Sequence, residues 1–155
     1  MSLANKKLND AKSMGNSLVL IYADVDNLKV INDSLGHDAG DEAIVEIAGA
    51  MRNAFRESDV IGRLGGDEFA ILINGSDIDN QDRESLCRRL DILLDKLNSG
   101  PNRVYQLSIS MGVTEFDPLS PSDLETLMSR ADVQVYQHKK SKYHLKSVIG
   151  EYLSQ

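Results

Sequence analysis

The sequence predicts an α+β domain in which helices, in two or three layers, cover a mainly antiparallel sheet, and three observations predict it. Leu18 to Ala23 is a continuous apolar run with β-branched members, which suits a strand covered on both faces. Val60 to Leu64 and Glu68 to Ile73 are two short strand-like runs on either side of Gly65-Gly66, and a hairpin of this kind must pair antiparallel. Around them lie segments whose apolar residues recur at three-and-four spacing, so strands and helices are mixed rather than alternating in βαβ units.

Taken in order, Ala4 to Met14 reads as a helix, followed by the central strand Leu18 to Ala23 and a short helix with Asn32-Asp33 at its end or in a turn. From Ala39 to Phe55 the positions Ile44, Ile47, Ala48, Met51 and Phe55 form one apolar helical face. In the hairpin that follows, Gly65-Gly66 can take the positive φ angles of a tight two-residue turn. Leu86, Leu90, Leu93, Leu94 and Leu97 make a second helical stripe, stopped by Asn98-Ser99-Gly100-Pro101. Val104 to Phe116 alternates through Leu107, Ile109 and Met111 and reads as a strand, with Gly112 near its far end. Ser120-Pro121-Ser122-Asp123 offers an N-cap and a proline at the first helical position. The last helix then runs to about Ser141 on Leu124, Leu127, Met128, Ala131 and Val135.

A chain of 155 residues with 41% hydrophobic content can bury one core, so residues 1–155 are expected to be a single domain. No apolar run approaches the roughly 20 residues that cross a bilayer, and contact with a membrane is not expected. Met1-Ser2-Leu3 has neither the charge nor the apolar stretch of a secretory signal and reads as a remnant of expression, which leaves the cytoplasm as the default location. The single cysteine, Cys87, cannot form an internal disulfide and falls on an apolar helical face. Seventeen basic against twenty-four acidic residues give a net charge of -7, which disfavours a nonspecific grip on DNA or RNA. An anionic ligand would need a metal ion or a local basic cluster.

Asp24 follows the central strand and Asp67 follows the hairpin turn. If the hairpin pairs beside the central strand, both carboxylates can face one ion, with a carbonyl such as that of Val25 as a third oxygen. Magnesium suits a few carboxylates completed by water and phosphate oxygens. The plainer alternative is that these aspartates only end strands and solubilise turns. Gly65 and Gly66, without side chains, let a ligand approach the hairpin backbone closely, while Asp67 and Glu68 place two carboxylates beside it.

The run Gly65-Gly66-Asp67-Glu68-Phe69 is the signature of GGDEF domains, and the resemblance extends further. Asp24-Val25-Asp26-Asn27-Leu28-Lys29-Val30-Ile31-Asn32-Asp33 and Gly36-His37-Asp38-Ala39-Gly40-Asp41 resemble that family's metal and guanine segments at the right spacing, and similarity covers about Leu18 to Lys139. The resemblance implies a ferredoxin-like, palm-type fold with a sheet of about five strands, and a diguanylate cyclase that joins two GTP into cyclic di-GMP. It implies that Asp24 and Asp67 bind Mg²⁺ (or Mn²⁺) through their side chains and Val25 through its carbonyl, and that Glu68 shares the acidic site. Asp67, Glu68 and Lys29 are the implied catalytic residues. Asn32 and Asp41 match the pair that recognises guanine, and an amide with a carboxylate can indeed answer an edge that both donates and accepts. Asn27, Leu28, Lys29 and Lys139 match the part that holds the triphosphate, beside Gly65 and Gly66.

Arg56-Glu57-Ser58-Asp59, just before the hairpin glycines, resembles the product-inhibition site of the family, where an arginine can grip a guanine edge or phosphate and an aspartate can accept from guanine. An ordinary surface ion pair, worth about 0.2–0.5 kcal/mol, is the alternative for Arg56 and Asp59. Arg88 or Arg89 is a candidate for a second arginine.

Two departures stand out. The Asp-x-Leu-Thr-Gly-Leu-x-Asn-Arg stretch that precedes the central strand in the family is absent, which suggests a fragment of a longer signalling protein whose N-terminal sensory or regulatory domain is missing. Where many members carry Ser-Gly-Arg-Asn, this chain has Ser141-Lys142-Tyr143-His144, with Lys142 as a candidate substitute for the arginine. Otherwise Lys140 and Lys142 read as a solvated helix end. The implied partners are GTP, cyclic di-GMP and a second copy of the domain, since each copy would hold one GTP. The rival is a non-catalytic domain that binds GTP or cyclic di-GMP and regulates a partner; a nucleic-acid polymerase is opposed by the acidic charge and by the Asn32/Asp41 pair.

Overall fold

In the computed structural model, residues 2–78 and 83–154 are described. In chain order they form α1 (Ser2–Met14), β1 (Leu18–Val25), α2 (Leu28–Leu35), α3 (His37–Ala54), β2 (Val60–Arg63), β3 (Glu68–Asn74), α4 (Arg83–Asn98), β4 (Ile109–Phe116) and α5 (Leu124–Leu153), with a 3-10 turn at Gly75–Asp77. The order of helices and strands is the one the sequence predicts. The sheet runs β2-β3-β1-β4 with every neighbouring pair antiparallel. It holds four strands among the described residues, against the about five that the resemblance implied.

β1 lacks polar alternation because both of its faces are buried. Val19, Ile21, Ala23 and Val25 pack into a core with Ile31 of α2, Ile44, Ile47 and Met51 of α3, and Leu90 and Leu94 of α4. Leu18 and Leu20 point the other way, onto Leu8 and Ala11 of α1 and Leu124 and Leu127 of α5. Three layers result: helix, sheet, helix. On the first of these faces Cys87 lies partly buried, and burial, with the charge of Asp91 second, pushes its thiol up to about 11. At pH 8 the thiolate is then scarce, and iodoacetamide labelling followed by mass spectrometry is expected to run about a hundredfold slower than on free cysteine. Labelling at the free rate would show an open thiol.

The structure corrects four local expectations. Neither Gly65 nor Gly66 has a positive φ; the chain turns over Leu64 to Asp67, closed by Leu64 N–H donating to the Glu68 carbonyl at 2.8 Å. The fourth strand begins at Ile109 and not at Val104, because Asn98 at the end of α4 takes both backbone groups of Leu107, donating to its carbonyl at 2.8 Å and accepting from its N–H at 2.7 Å. α5 is capped by Asp123, whose carboxylate accepts from Thr126 N–H at 2.7 Å, so Ser120 and Pro121 lie ahead of the helix. It continues to Leu153 instead of stopping near Ser141, and its last turns leave Tyr143, Leu145, Tyr152 and Leu153 exposed.

α5 lies against β4 at backbone distance. A Cβ at Gly112 would stand 2.1 Å from the Ala131 carbonyl oxygen, so only glycine fits there. The closeness lets α5 side chains reach the outer rim of β4: Met111 N–H donates to His138 Nδ1 at 3.1 Å, and Gln134 accepts from Val113 N–H at 2.8 Å while donating to its carbonyl at 2.7 Å. Burial, then the Lys142 charge, pull His138 below the usual imidazole value, which keeps the ring neutral and able to accept. Among the described residues no helix is long and apolar enough to cross a membrane.

Candidate active site

Sheet register brings the acidic residues together. Asp24, near the end of β1, sits opposite Glu68 at the start of β3, and Val25 N–H donates to the Asp67 carbonyl at 2.8 Å. The turn carrying Asp67 is held from within: Arg63 donates from Nε to the Gly65 carbonyl at 3.0 Å and from its terminal nitrogen to the Gly66 carbonyl at 2.8 Å. Arg63 was not singled out by the sequence, where it reads as an ordinary outward strand residue.

One oxygen of Asp24 lies 3.1 Å from Lys139 Nζ. The other, Oδ1, is buried without a partner. Burial pushes the Asp24 carboxyl above its usual range, Lys139 works against the shift, and the neighbouring Asp67 carboxylate adds to it. An orphaned carboxylate oxygen beside a second carboxylate is a cation-deficient arrangement, and it fits the divalent ion implied for Asp24, Asp67 and the Val25 carbonyl. Among the described residues no group of three or more His, Cys, Asp or Glu side chains forms a cage. Two carboxylates with the rest of the shell left to water and phosphate oxygens match magnesium better than zinc or calcium. Glu68 faces the Tyr22 hydroxyl, whose acidity burial and that carboxylate both suppress.

Beside this pair lies a second acidic centre that the sequence did not disclose. Asp26 is buried and accepts from Ser108 Oγ at 2.6 Å, Ser110 Oγ at 2.8 Å and Lys142 Nζ at 2.8 Å. Burial opposes its ionisation, but these hydrogen bonds and the Lys142 charge prevail and hold it below the ordinary carboxylate range. Lys142 is therefore not part of a solvated helix end, because α5 continues past it and folds its ammonium onto Asp26; Lys140 is exposed, as expected. Ser108 and Ser110 at alternate positions were the available signal, since two serines on one strand face need a polar partner.

Of the nucleotide-matching residues, Asn27 and Lys139 line one open groove and the others lie outside it. Asn27 is left-handed (φ 61°, ψ 22°) and precedes α2 without a side-chain cap. It joins Asp26, Ser108, Lys139, Lys142 and Lys146 around a groove of about 380 Å³. Leu28 is half-buried and Lys29 exposed, with no ion pair for Lys29 among the described residues. The Asn32 side chain lies over Gly40, where a Cβ would stand 1.7 Å from its Oδ1, and this carries the amide to the first turns of α3, beside exposed Asp41. Gly65 and Gly66 are exposed at the hairpin tip.

Arg56 and Asp59 do not form a side-chain ion pair. Asp59 accepts from the Arg56 backbone N–H at 2.7 Å, and its own N–H donates to the Arg56 carbonyl at 3.0 Å. The Arg56 guanidinium is thus left for other company. It shares a cavity of about 120 Å³ with Asp59 and Arg89, and Arg89 is fixed by donating to the Ala54 carbonyl at 3.0 Å. Of the two candidates for a second arginine, Arg89 lines this cavity and Arg88 does not.

Comparison with known proteins gives a consistent result. Residues 2–144 match the family model described as "Diguanylate cyclase, GGDEF domain". The chain is 32% identical over 133 residues to diguanylate cyclase DgcP of Escherichia coli, covering 85% of this chain and 38% of that protein. It is 33% identical over 134 residues to the cyclic di-GMP phosphodiesterase NbdA of Pseudomonas aeruginosa, covering 85% of this chain and 16% of that one. Among solved structures, the GGDEF domain of TpbB from Pseudomonas aeruginosa superposes with a TM-score of 0.77 at 30% identity, over 90% of this chain and 81% of that one. Sequence signature, palm-type architecture and the paired carboxylates at the hairpin agree: the chain belongs to the GGDEF domain family.

Proposed function

We propose that this domain is a diguanylate cyclase that condenses two GTP into cyclic di-GMP and two pyrophosphates in the cytoplasm, as the catalytic module of a longer signalling protein. The observation that carries the proposal is the Asp24–Asp67 pair, with its orphaned buried oxygen and with Lys139 beside it.

Asp24, Asp67 and the Val25 carbonyl would hold Mg²⁺ or Mn²⁺. When bound, such an ion neutralises the charge that develops on the phosphates. Lys139 and Lys29, with the backbone at Asn27 and Leu28, orient the triphosphate so that its α-phosphorus is presented to the 3′-hydroxyl of the second nucleotide. Asn32 and Asp41 select guanine over adenine. Asp67 or Glu68 accepts the hydroxyl proton, the O3′–Pα bond forms, and the bond from Pα to pyrophosphate breaks. Each domain holds one GTP, so two domains meet face to face, and a second such step closes the ring. Catalysis rests on positioning and charge neutralisation, without a covalent intermediate. Arg56 and Asp59, joined by Arg89, form the product-inhibition site.

A second reading has one observation in its favour: a related domain occurs in NbdA, a protein named a phosphodiesterase, so a member of this family can accompany another activity. There the domain would bind GTP or cyclic di-GMP and regulate its neighbour. One experiment separates the two. Concentrated protein is incubated with GTP and Mg²⁺, and cyclic di-GMP is quantified by chromatography, with Asp67→Ala in parallel. Product from the parent, reduced about a hundredfold or more in the variant, is expected. No product even after fusion to a dimerising coiled coil would reject the cyclase in favour of the regulatory domain.

A further inference from the structure

Lys139 and Lys142 project from neighbouring positions of α5 toward the groove beside Asp26 and Asn27, but their surroundings differ. Lys139 meets Asp24 alone at hydrogen-bond distance. Lys142 is nearly as open to solvent as Lys139 but more fully bonded: its Nζ donates to Asp26 Oδ2 at 2.8 Å, to Ser108 Oγ at 3.2 Å and to the Ile109 carbonyl. An ammonium has three protons, and here all three are spent on the protein. Asp26, in turn, is only 9% exposed; Ser110 ties it to β4, and Ser108, just ahead of that strand, holds it twice, through its hydroxyl and through its carbonyl, which accepts from the Asp26 N–H at 2.8 Å.

What this cluster holds is the turn that follows it. Asn27 comes directly after Asp26 and is left-handed, a conformation that asparagine tolerates better than other non-glycine residues but that is still one of several open to it, so its neighbours decide how firmly it is held. Its side chain does not cap α2, so the first N–H groups of that helix are left to other acceptors beside the groove. We infer that Lys142 is a positioning residue: by locking Asp26 to the start of β4 it fixes the left-handed turn at Asn27 and presents the uncapped end of α2, already in shape, to the polyphosphate of a bound nucleotide. The inference deepens the function proposed above and rests on it for the ligand. It assigns Lys142 a different part from that of a phosphate-gripping substitute for the family's arginine.

A double-mutant cycle tests it, read by calorimetric titration of the full chain with a nonhydrolysable α,β-methylene GTP analogue and Mg²⁺. Lys142→Met is expected to raise the dissociation constant about tenfold in the parent and less than about twofold in Asp26→Asn, because the lock is already open there. Lys142→Arg, which keeps the charge, is expected to stay within about threefold of the parent. In the ligand-free protein, the backbone amide resonances of Asn27 and Leu28 are expected to shift in Lys142→Met. Equal losses in both backgrounds would make Lys142 a direct phosphate ligand, and unmoved amide resonances would equally overturn the lock. If Lys142→Met does not fold, Lys142→Gln carries the same cycle. A parent that binds no guanine nucleotide would overturn the proposed function, while the ligand-free resonances would still decide the role of Lys142.

Discussion

Replacing Asp24 by asparagine is expected to cut cyclic di-GMP formation by about a hundredfold or more, and at the same time to raise the melting temperature of the metal-free protein. The first effect follows from the function proposed above, in which Asp24 at the end of β1 would hold the divalent ion. The second follows from the environment of the carboxylate. Burial raises the Asp24 pKa above its ordinary 3.8, Lys139 offsets only part of the shift, and Asp67 adds to it. A carboxyl whose folded-state pKa exceeds its unfolded value binds more protons in the fold, so its contribution to stability declines as pH rises from about 3.8 through the raised value. At neutral pH and without a cation, the ionised group opposes folding. Asparagine keeps the shape and removes the charge, for a gain on the order of 1 kcal/mol, or about 2–4 °C in a domain of this size. Thermal unfolding in EDTA at pH 7 checks it. A variant that melts below the parent would mean that Lys139 alone satisfies the charge and that the site does not lack a cation.

Gly112→Ala is expected to cost about 3 kcal/mol and to lower the melting temperature by roughly 6–12 °C. The added methyl would meet the Ala131 carbonyl oxygen at 2.1 Å and its carbon at 2.9 Å, both backbone atoms of α5 that no rotamer change can move aside. Relief requires the helix to lift from the strand, and lifting it breaks the contacts from His138 to Met111 and from Gln134 to Val113. Gly66→Ala is the matched control, since a Cβ there meets nothing within 4 Å and the residue has no positive φ. Denaturant unfolding of both variants reads the difference. A Gly112→Ala midpoint equal to that of the control would mean that α5 and β4 are not in backbone contact.

The elements legible in the sequence were those whose signal is local. β1 could be recognised because a strand covered on both faces has no polar alternation, and the hairpin because its two runs are adjacent. Once the hairpin was placed beside β1, the approach of Asp24 to Asp67 and Glu68 followed from register, and the structure gives that register. Val104 to Leu107 misled because its alternation is the same as a strand's, while the competing bonds come from Asn98, a side chain on another element. Lys142 misled for a related reason. Its partner, Asp26, lies 116 residues away in sequence, and no periodicity records a contact of that range. Ending α5 near Ser141 then made Lys142 look like a solvated terminus.

The rim of β4 also bears on how copies of the domain can assemble. A sheet grows into a filament when an unpaired strand border accepts the border of the next molecule. Here one border is occupied by His138 and Gln134, and the other belongs to β2, a strand of only four residues. Neither offers a template long enough to propagate. Crowding many copies together therefore favours contact through faces and closure into small, countable particles over open-ended polymerisation.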